Sequence, residues 1–361
     1  MEFGKQRFCT VSYDKNEQVL KLVTSGDDIA GVRITCGTKR VDIKQLGTAV
    51  DQYWQFVNGV IESGDLNQND QEKMKRIYDD LKTEGANLAQ CFLTADMREK
   101  LWKRAAQVDV FVIWGELQWI PWEALYYRSG NTGSFLSDVC VISRWPETDE
   151  ESEIDYENTF AESRIVCLDA LLDANEDARI DNDSLSQFFR GLGEVVHVTR
   201  HKGELEQRVC QTKLIHWICE HEEGHGLRLD ESTYFSEADC HTVRFPSRSA
   251  LILTSCSASK GIGHNENLAA RIAASSYCTV IAPSSVIAAR SGVRFVQILN
   301  RFIDDLDADK PLGYLWKKLR VPETSEEGER FITEEMCYSL WYAIYGDAML
   351  NLGGGDNGNR N

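Results

Sequence analysis

The sequence predicts an α/β fold, a three-layer α/β/α sandwich with a mainly parallel sheet, preceded by a small β-plus-helix N-terminal region. Three observations predict it. From about residue 107, short apolar runs of strand length (VDVFVIW, SRIVCLDA, KLIHWIC, ALILTSC and CTVIAPS) alternate with helix-like or polar segments. Strands buried on both faces by covering helices read this way. Residues 43 to 104 instead space their apolar side chains at three and four, as amphipathic helices do, and the stretch before them alternates in short β-like runs.

Taken in order, CTVSY and VLKLV flank a polar turn at Asp14 to Glu17, and GVRIT follows a second polar cluster, SGDD. These predict a small antiparallel β unit between Phe8 and Val41. VDQYWQFVNGVI, MKRIYDDLKTEG and MREKLWKRA predict the helices that follow. The expected division is therefore residues 1–104 as a β-ribbon and helical region, 105–350 as the sandwich, and 351–361 (NLGGGDNGNRN) as a disordered tail. The acidic stretch ETDEESEIDYEN, 147–158, reads as a solvated loop or linker, and VRFVQILNRFIDDL, 293–306, as a helix covering one sheet face. Trp114, Trp119 and Trp122 are expected to pack the sheet against the N-terminal helices.

A formal net charge of −18 argues against direct nucleic-acid binding and against an anionic membrane, because phosphate contacts need clustered Lys and Arg. A neutral or basic polypeptide partner suits that charge better. Neither a membrane-spanning apolar stretch nor a secretory leader is legible, so a cytoplasmic location is expected. Eleven cysteines run from Cys9 to Cys337 without one Cys-x-x-Cys pair, which predicts reduced, mostly buried thiols rather than a disulfide or zinc scaffold.

Two segments carry chemistry. In LIHWICEHEEGHG, 214–226, an apolar run gives way to a polar, glycine-containing stretch, and His221 stands just past its end. In ALILTSCSASKGIG, 250–263, a second apolar run ends at Cys256, which small residues follow. Reactive side chains gather at the carboxyl ends of parallel strands, and small residues let backbone N–H groups approach a substrate. If the two strands are neighbours, a thiol and an imidazole meet, as a cysteine nucleophile and its general base must. Ser255 and Ser257 lack the Gly-x-Ser-x-Gly elbow of a serine hydrolase, and Gly261 and Gly263 lack the third glycine of a dinucleotide site.

These segments resemble the CHAT family, caspase-like cysteine peptidases related to separase. FVIWGELQWIPWEALYY, 111–127, resembles the family's N-terminal signature; IHWICEHEEGHGLRLDE resembles its histidine motif; LILTSCSAS resembles its nucleophile motif, followed in the expected order by NLAARIAASS and CTVIAPSSVI. The resemblance implies a caspase-like domain and a thiol protease with Cys256 as nucleophile and His221 as base, needing no metal or organic cofactor. It also implies a dedicated protein substrate, of which gasdermin-like proteins are one kind, and an activating sensor or CRISPR-type complex in bacterial antiviral defence. Two positions depart from the family pattern. Glu222 follows the histidine where the family usually has glycine, which keeps His225 in Gly-His-Gly as a rival base, while His216 sits inside the apolar run as a core residue. Thr254 stands where relatives often carry an acidic residue that selects a basic one before the scissile bond, so that preference stays open. A catalytically silent CHAT-like scaffold that binds partner proteins is the alternative reading.

Overall fold

A computed structural model describes residues 5–25, 33–63, 66, 70–130, 132–145, 164–169, 194–198, 214–218, 221–222, 225–229, 232–243, 245, 249–255, 267–276, 278–284, 289–300, 310–320, 323–324 and 330–350. They fall into two compact units. The first comprises Met1–Glu147 with Trp316–Ala343, and the second Thr148–Leu315 with Ile344–Asn361.

The first unit begins with strands β1 (Gln6–Asp14), β2 (Val19–Ser25) and β3 (Arg33–Arg40), then helices α1 (Ile43–Glu62), α2 (Gln71–Phe92) and α3 (Ala95–Ala105). Strand β4 (Val110–Gly115), a hairpin of β5 (Tyr126–Ser129) and β6 (Thr132–Phe135), the short helix α4 (Leu136–Val139) and β7 (Val141–Trp145) complete this stretch. Asp14 makes the first turn, its Oδ1 accepting from the backbone N–H of Asn16 at 2.8 Å and of Glu17 at 3.1 Å. As the polar clusters predict, β1, β2 and β3 pair antiparallel. The ribbon is not a separate element, however, because β1 also pairs in parallel with β4, Phe8 opposite Val112, and β4 in turn pairs in parallel with β7.

The helices cover one face of this sheet. Side chains alternate along β1, where Arg7, Cys9 and Val11 are buried and Gln6, Phe8 and Ser12 exposed. On the buried side Arg7 donates to the Arg104 carbonyl at 3.3 Å and to Gln107 Oε1 at 2.8 Å, which ties β1 to the end of α3. Side-chain oxygens start the helices: Asp70 accepts from the Lys73 N–H at 3.0 Å and Thr94 from the Met97 N–H at 3.2 Å, contacts worth about 1 kcal/mol each. Along α2, Met74, Ile77, Tyr78, Leu81, Leu88 and Phe92 are buried at the spacing expected of a core-facing stripe.

Trp122 behaves as expected, fully buried with its ring edge-on to Phe92 at 5.5 Å and its N–H donating to the Leu117 carbonyl at 3.1 Å. Trp119 is half-buried, and Trp114 differs: at 43% exposed it lies on the face away from the helices, because successive strand side chains point to opposite faces and Trp114 pairs with the exposed Trp145. Next to Trp122, Glu123 forms an ion pair with Arg144 in which both side chains are nearly sealed from water, at 2% and 1% exposed. The guanidinium also donates to the carbonyls of Gln118 at 2.8 Å and Ile120 at 3.0 Å, so the whole turn before β5 wraps one charge.

Residues 316–343 return to this unit and lock it. Arg320, buried, pairs with Asp138, donates to the Met336 carbonyl and to Ser339 Oγ at 3.1 Å, and lies 5.3 Å above the Phe135 ring. Lys317 reaches Asp109 at 3.2 Å.

In the second unit β8 (Arg164–Asp169), β9 (Glu194–Val198) and β10 (Leu214–Ile218) are followed by a three-stranded antiparallel ribbon of β11 (His221–Glu222), β12 (Gly226–Arg228) and β13 (Tyr234–Phe235). Then come β14 (Ala250–Thr254), a helix at Leu268–Ser276, β15 (Thr279–Pro283) and a helix at Ala289–Asn300. The main strands run in the order β15-β14-β10-β8-β9, every described pairing parallel. The runs SRIVCLDA, KLIHWIC, ALILTSC and CTVIAPS thus supply four of these strands, and β14 and β15 are buried at every position, as two-sided covering requires. The acidic stretch 147–158 and the tail 351–361 lie outside the described residues, and the helix expected over 293–306 is described as far as Asn300.

Candidate active site

The order β15-β14-β10-β8-β9 reverses direction between β8 and β10, since the chain steps from β8 outward to β9 and then back across β8 to β10. Open parallel sheets bind ligands beyond the carboxyl ends of their strands near such a reversal. Strands β10 and β14 are direct neighbours, in register from Leu214 opposite Ala250 to Ile218 opposite Thr254. Their carboxyl ends therefore stand side by side, about 4.8 Å apart. His221 follows Ile218 by three positions and Cys256 follows Thr254 by two.

Cys256 itself lies outside the described residues, as do residues 257–266, but both anchors of that stretch are described. Before it, Ser255 is buried. After it, buried Asn267 caps the helix Leu268–Ser276, its Oδ1 accepting from the Ala270 N–H at 2.9 Å while its amide donates to the Tyr345 hydroxyl at 2.8 Å. The described residues on either side of that stretch, Ser255 and Asn267, are thus both buried.

The three histidines weighed from the sequence occupy different environments. His216 is fully buried within β10, and its Nε2 lies 2.9 Å from Thr254 Oγ1 on β14. Burial pushes its pKa down to about 3, so at neutral pH it is an uncharged core residue, unsuited to taking a proton in a reaction. His225 is an exposed turn residue, its side chain 60% accessible. Its Nδ1 lies 3.7 Å from Glu222 Oε1, its ring 5.2 Å from that of Tyr234, and its backbone N–H donates to the Glu222 carbonyl at 3.0 Å.

His221 opens β11, and its register is informative. It pairs with Leu227, which pairs with Phe235. Leu227 and Phe235 are both fully buried, Phe235 meeting Trp217 of β10 at 5.1 Å and Phe245 at 6.3 Å. Leu227 and Phe235 thus turn toward the sheet, whereas Glu222, His225 and Tyr234 interact on the opposite, wetter face. Gly226 makes the tight ribbon feasible: its φ is +106°, and a Cβ there would stand 2.3 Å from the Phe235 carbonyl oxygen.

Several features of this region escaped the sequence reading: the His216–Thr254 tie, the Tyr234 hydroxyl donating to Glu222 Oε2 at 2.6 Å, and the ribbon itself. A polar His and Thr inside two apolar runs was the available sign of the first; strands of two or three residues leave no periodicity to find. Among the described residues no group of three or more His, Cys, Asp or Glu could hold a metal ion, and no helix is long and apolar enough to cross a membrane.

The architecture matches separase of Saccharomyces cerevisiae, as solved in complex with securin. One structure of that complex, at 3.0 Å, aligns with a TM-score of 0.54 and 11% identity over 95% of this chain; a second, at 2.6 Å, aligns with 0.53 and 10% over 94%. The chain spans 30% of the separase chain in either case. Separase is a cysteine protease of the caspase-like clan, and the likeness shows that this chain has its mixed α/β fold with a large, mostly parallel sheet. No family model matches the chain, and no curated protein matches it.

Proposed function

We propose that this chain is a cysteine endopeptidase that cleaves a specific protein through Cys256 and His221. The observation that carries the reading is the register of β10 and β14, which sets the strand ends preceding His221 and Cys256 side by side in a fold shared with a caspase-clan protease. The Cys256 thiolate attacks the scissile carbonyl carbon, and backbone N–H groups among the small residues after it hold the resulting oxyanion. Collapse of that intermediate breaks the C–N bond, His221 giving its proton to the departing amine. Water, deprotonated by His221, then hydrolyses the acyl-enzyme. His225 takes no part, since it belongs to the outer face of the ribbon with Glu222 and Tyr234.

In keeping with the CHAT resemblance, the substrate is a dedicated protein and the enzyme a regulated effector of bacterial antiviral defence, switched on by a sensor or a CRISPR-type complex. The separase structures were solved with a protein partner, securin, which is consistent with control by a bound polypeptide here. The test is labelling with a panel of peptidyl electrophiles, in wild type, Cys256→Ala, His221→Ala and His225→Ala, with intact and peptide mass locating the adduct. Labelling at Cys256 that vanishes with His221→Ala and survives His225→Ala is expected. Adducts scattered over other cysteines and indifferent to both histidines would favour the silent scaffold.

A further inference from the structure

We infer that Glu222 and Tyr234 are positioning residues for His221, forming a strap across the ribbon that presents it; the inference rests on the cysteine-peptidase reading. Glu222 is the residue found where the resembled family usually has glycine, so its purpose in this chain is a question of its own.

The ladder holding β11 is short. It consists of His221 opposite Leu227 and Glu222 opposite Gly226, closed by the turn bond from the His225 N–H to the Glu222 carbonyl at 3.0 Å. Two pairs make a marginal hairpin on their own. On the inner face Leu227 and Phe235 fasten the ribbon by burial. On the outer face the fastening is the Tyr234 hydroxyl, which donates to Glu222 Oε2 at 2.6 Å. Tyr234 belongs to β13 and Glu222 to β11, two strands away and about 9.6 Å across a sheet. The bond therefore passes over β12, where the residue opposite Glu222 is Gly226, which puts no side chain in its path. A donor on the third strand grips the first directly, and the residue gripped is the immediate neighbour of His221. His225 adds a second contact to the same carboxylate at 3.7 Å.

A strap of this kind needs an acceptor at position 222, not a charge. Glutamine keeps a carbonyl oxygen for the tyrosine hydroxyl, while alanine leaves none, and Tyr234→Phe removes the donor but keeps the ring. The experiment measures saturation kinetics of Cys256 labelling by the best peptidyl electrophile in wild type, Tyr234→Phe, Glu222→Ala and Glu222→Gln, beside thermal unfolding. Expected are a maximal labelling rate about tenfold lower in Tyr234→Phe and Glu222→Ala, an unchanged half-saturating concentration, and Glu222→Gln close to wild type. Melting temperatures should stay within about 2 °C, because the bond is exposed. Tyr234→Phe labelling at the wild-type rate, or Glu222→Gln falling as far as Glu222→Ala, overturns the inference while leaving the peptidase reading standing. If wild-type Cys256 takes no label, the peptidase reading fails and the catalytic role of the strap fails with it. Amide exchange at Leu227 and Phe235 then still reports on the contact, faster exchange in Tyr234→Phe marking a fold-only strap and unchanged exchange excluding one.

Discussion

Acid should destabilise this protein through one imidazole that takes no part in the proposed reaction. His216 is fully buried against Thr254, and burial lowers its pKa from 6.5 to about 3. In the unfolded chain the same ring takes up a proton below about pH 6.5, so the unfolded state binds more protons and stability falls as pH falls. The loss begins near the unfolded pKa and is complete only near the folded one. At pH 5 the unfolded state has gained about 2 kcal/mol from this protonation, a figure that requires only that the folded pKa lie well below 5. His216→Gln removes the titration while keeping an amide that can reach Thr254 Oγ1. Urea unfolding of both proteins at pH 7.5, 6 and 5 gives the difference of differences, in which carboxylates common to both cancel. Wild type should lose about 2 kcal/mol more than the variant between pH 7.5 and 5. Equal losses, agreeing within about 0.5 kcal/mol, would refute a neutral His216 in the folded core.

Further expectations rest on other contacts. Glu123→Ala leaves the Arg144 charge buried without its partner and should cost about 3–5 kcal/mol by denaturant unfolding, whereas Glu123→Leu with Arg144→Met together should recover most of that loss. Gly226→Ala forces a Cβ to 2.3 Å from the Phe235 carbonyl at a φ of +106°; electrophile labelling of Cys256 should disappear, while stability falls by only about 1–3 kcal/mol because the ribbon is small. Iodoacetamide on the folded protein, read by peptide mass, should modify Cys91, the exposed one of the described thiols, and spare buried Cys9, Cys36, Cys140, Cys240, Cys278 and Cys337, whose pKa values burial raises, those of Cys240 and Cys337 to about 12. Trp122→Ala should cost about 3–5 kcal/mol, since it empties a fully buried site beside Phe92.

Elements with a strong period were legible from the chain alone. The apolar runs at β4, β8, β10, β14 and β15 are strands, the three- and four-spaced segments are α1 to α3, and β10 and β14 are the parallel neighbours that a Cys/His arrangement requires. Pairing beyond neighbours was less legible, because alternation along β1 says which face is buried and nothing about β4 lying beside it. Trp114 shows the same limit, its outward direction being set by register rather than by composition. The assignment of His216 to the core is borne out by its burial. For His221 and His225 the informative quantity was again register, and a ribbon of two- and three-residue strands carries no hydrophobic period from which it could be read. Arg144 is the instructive miss, since a charge inside VISRW was a visible sign of a buried partner.

The first unit is built from two stretches of chain that are far apart in synthesis. Residues up to Glu147 leave the ribosome early, whereas Arg320, which clasps Asp138, Met336 and Ser339, emerges only after every strand that leads to His221 and Cys256. A nascent chain therefore displays α2, α4 and the Phe135 ring without their cover while residues Thr148–Leu315 of the second unit are being made. Arrested translation products ending before Trp316 should accordingly be captured by holdase chaperones, and those extending past Ala343 released from them. The clasp then serves as a signal that translation has passed β10 and β14, so a prematurely terminated chain is left exposed to quality control instead of persisting as a partly built fold.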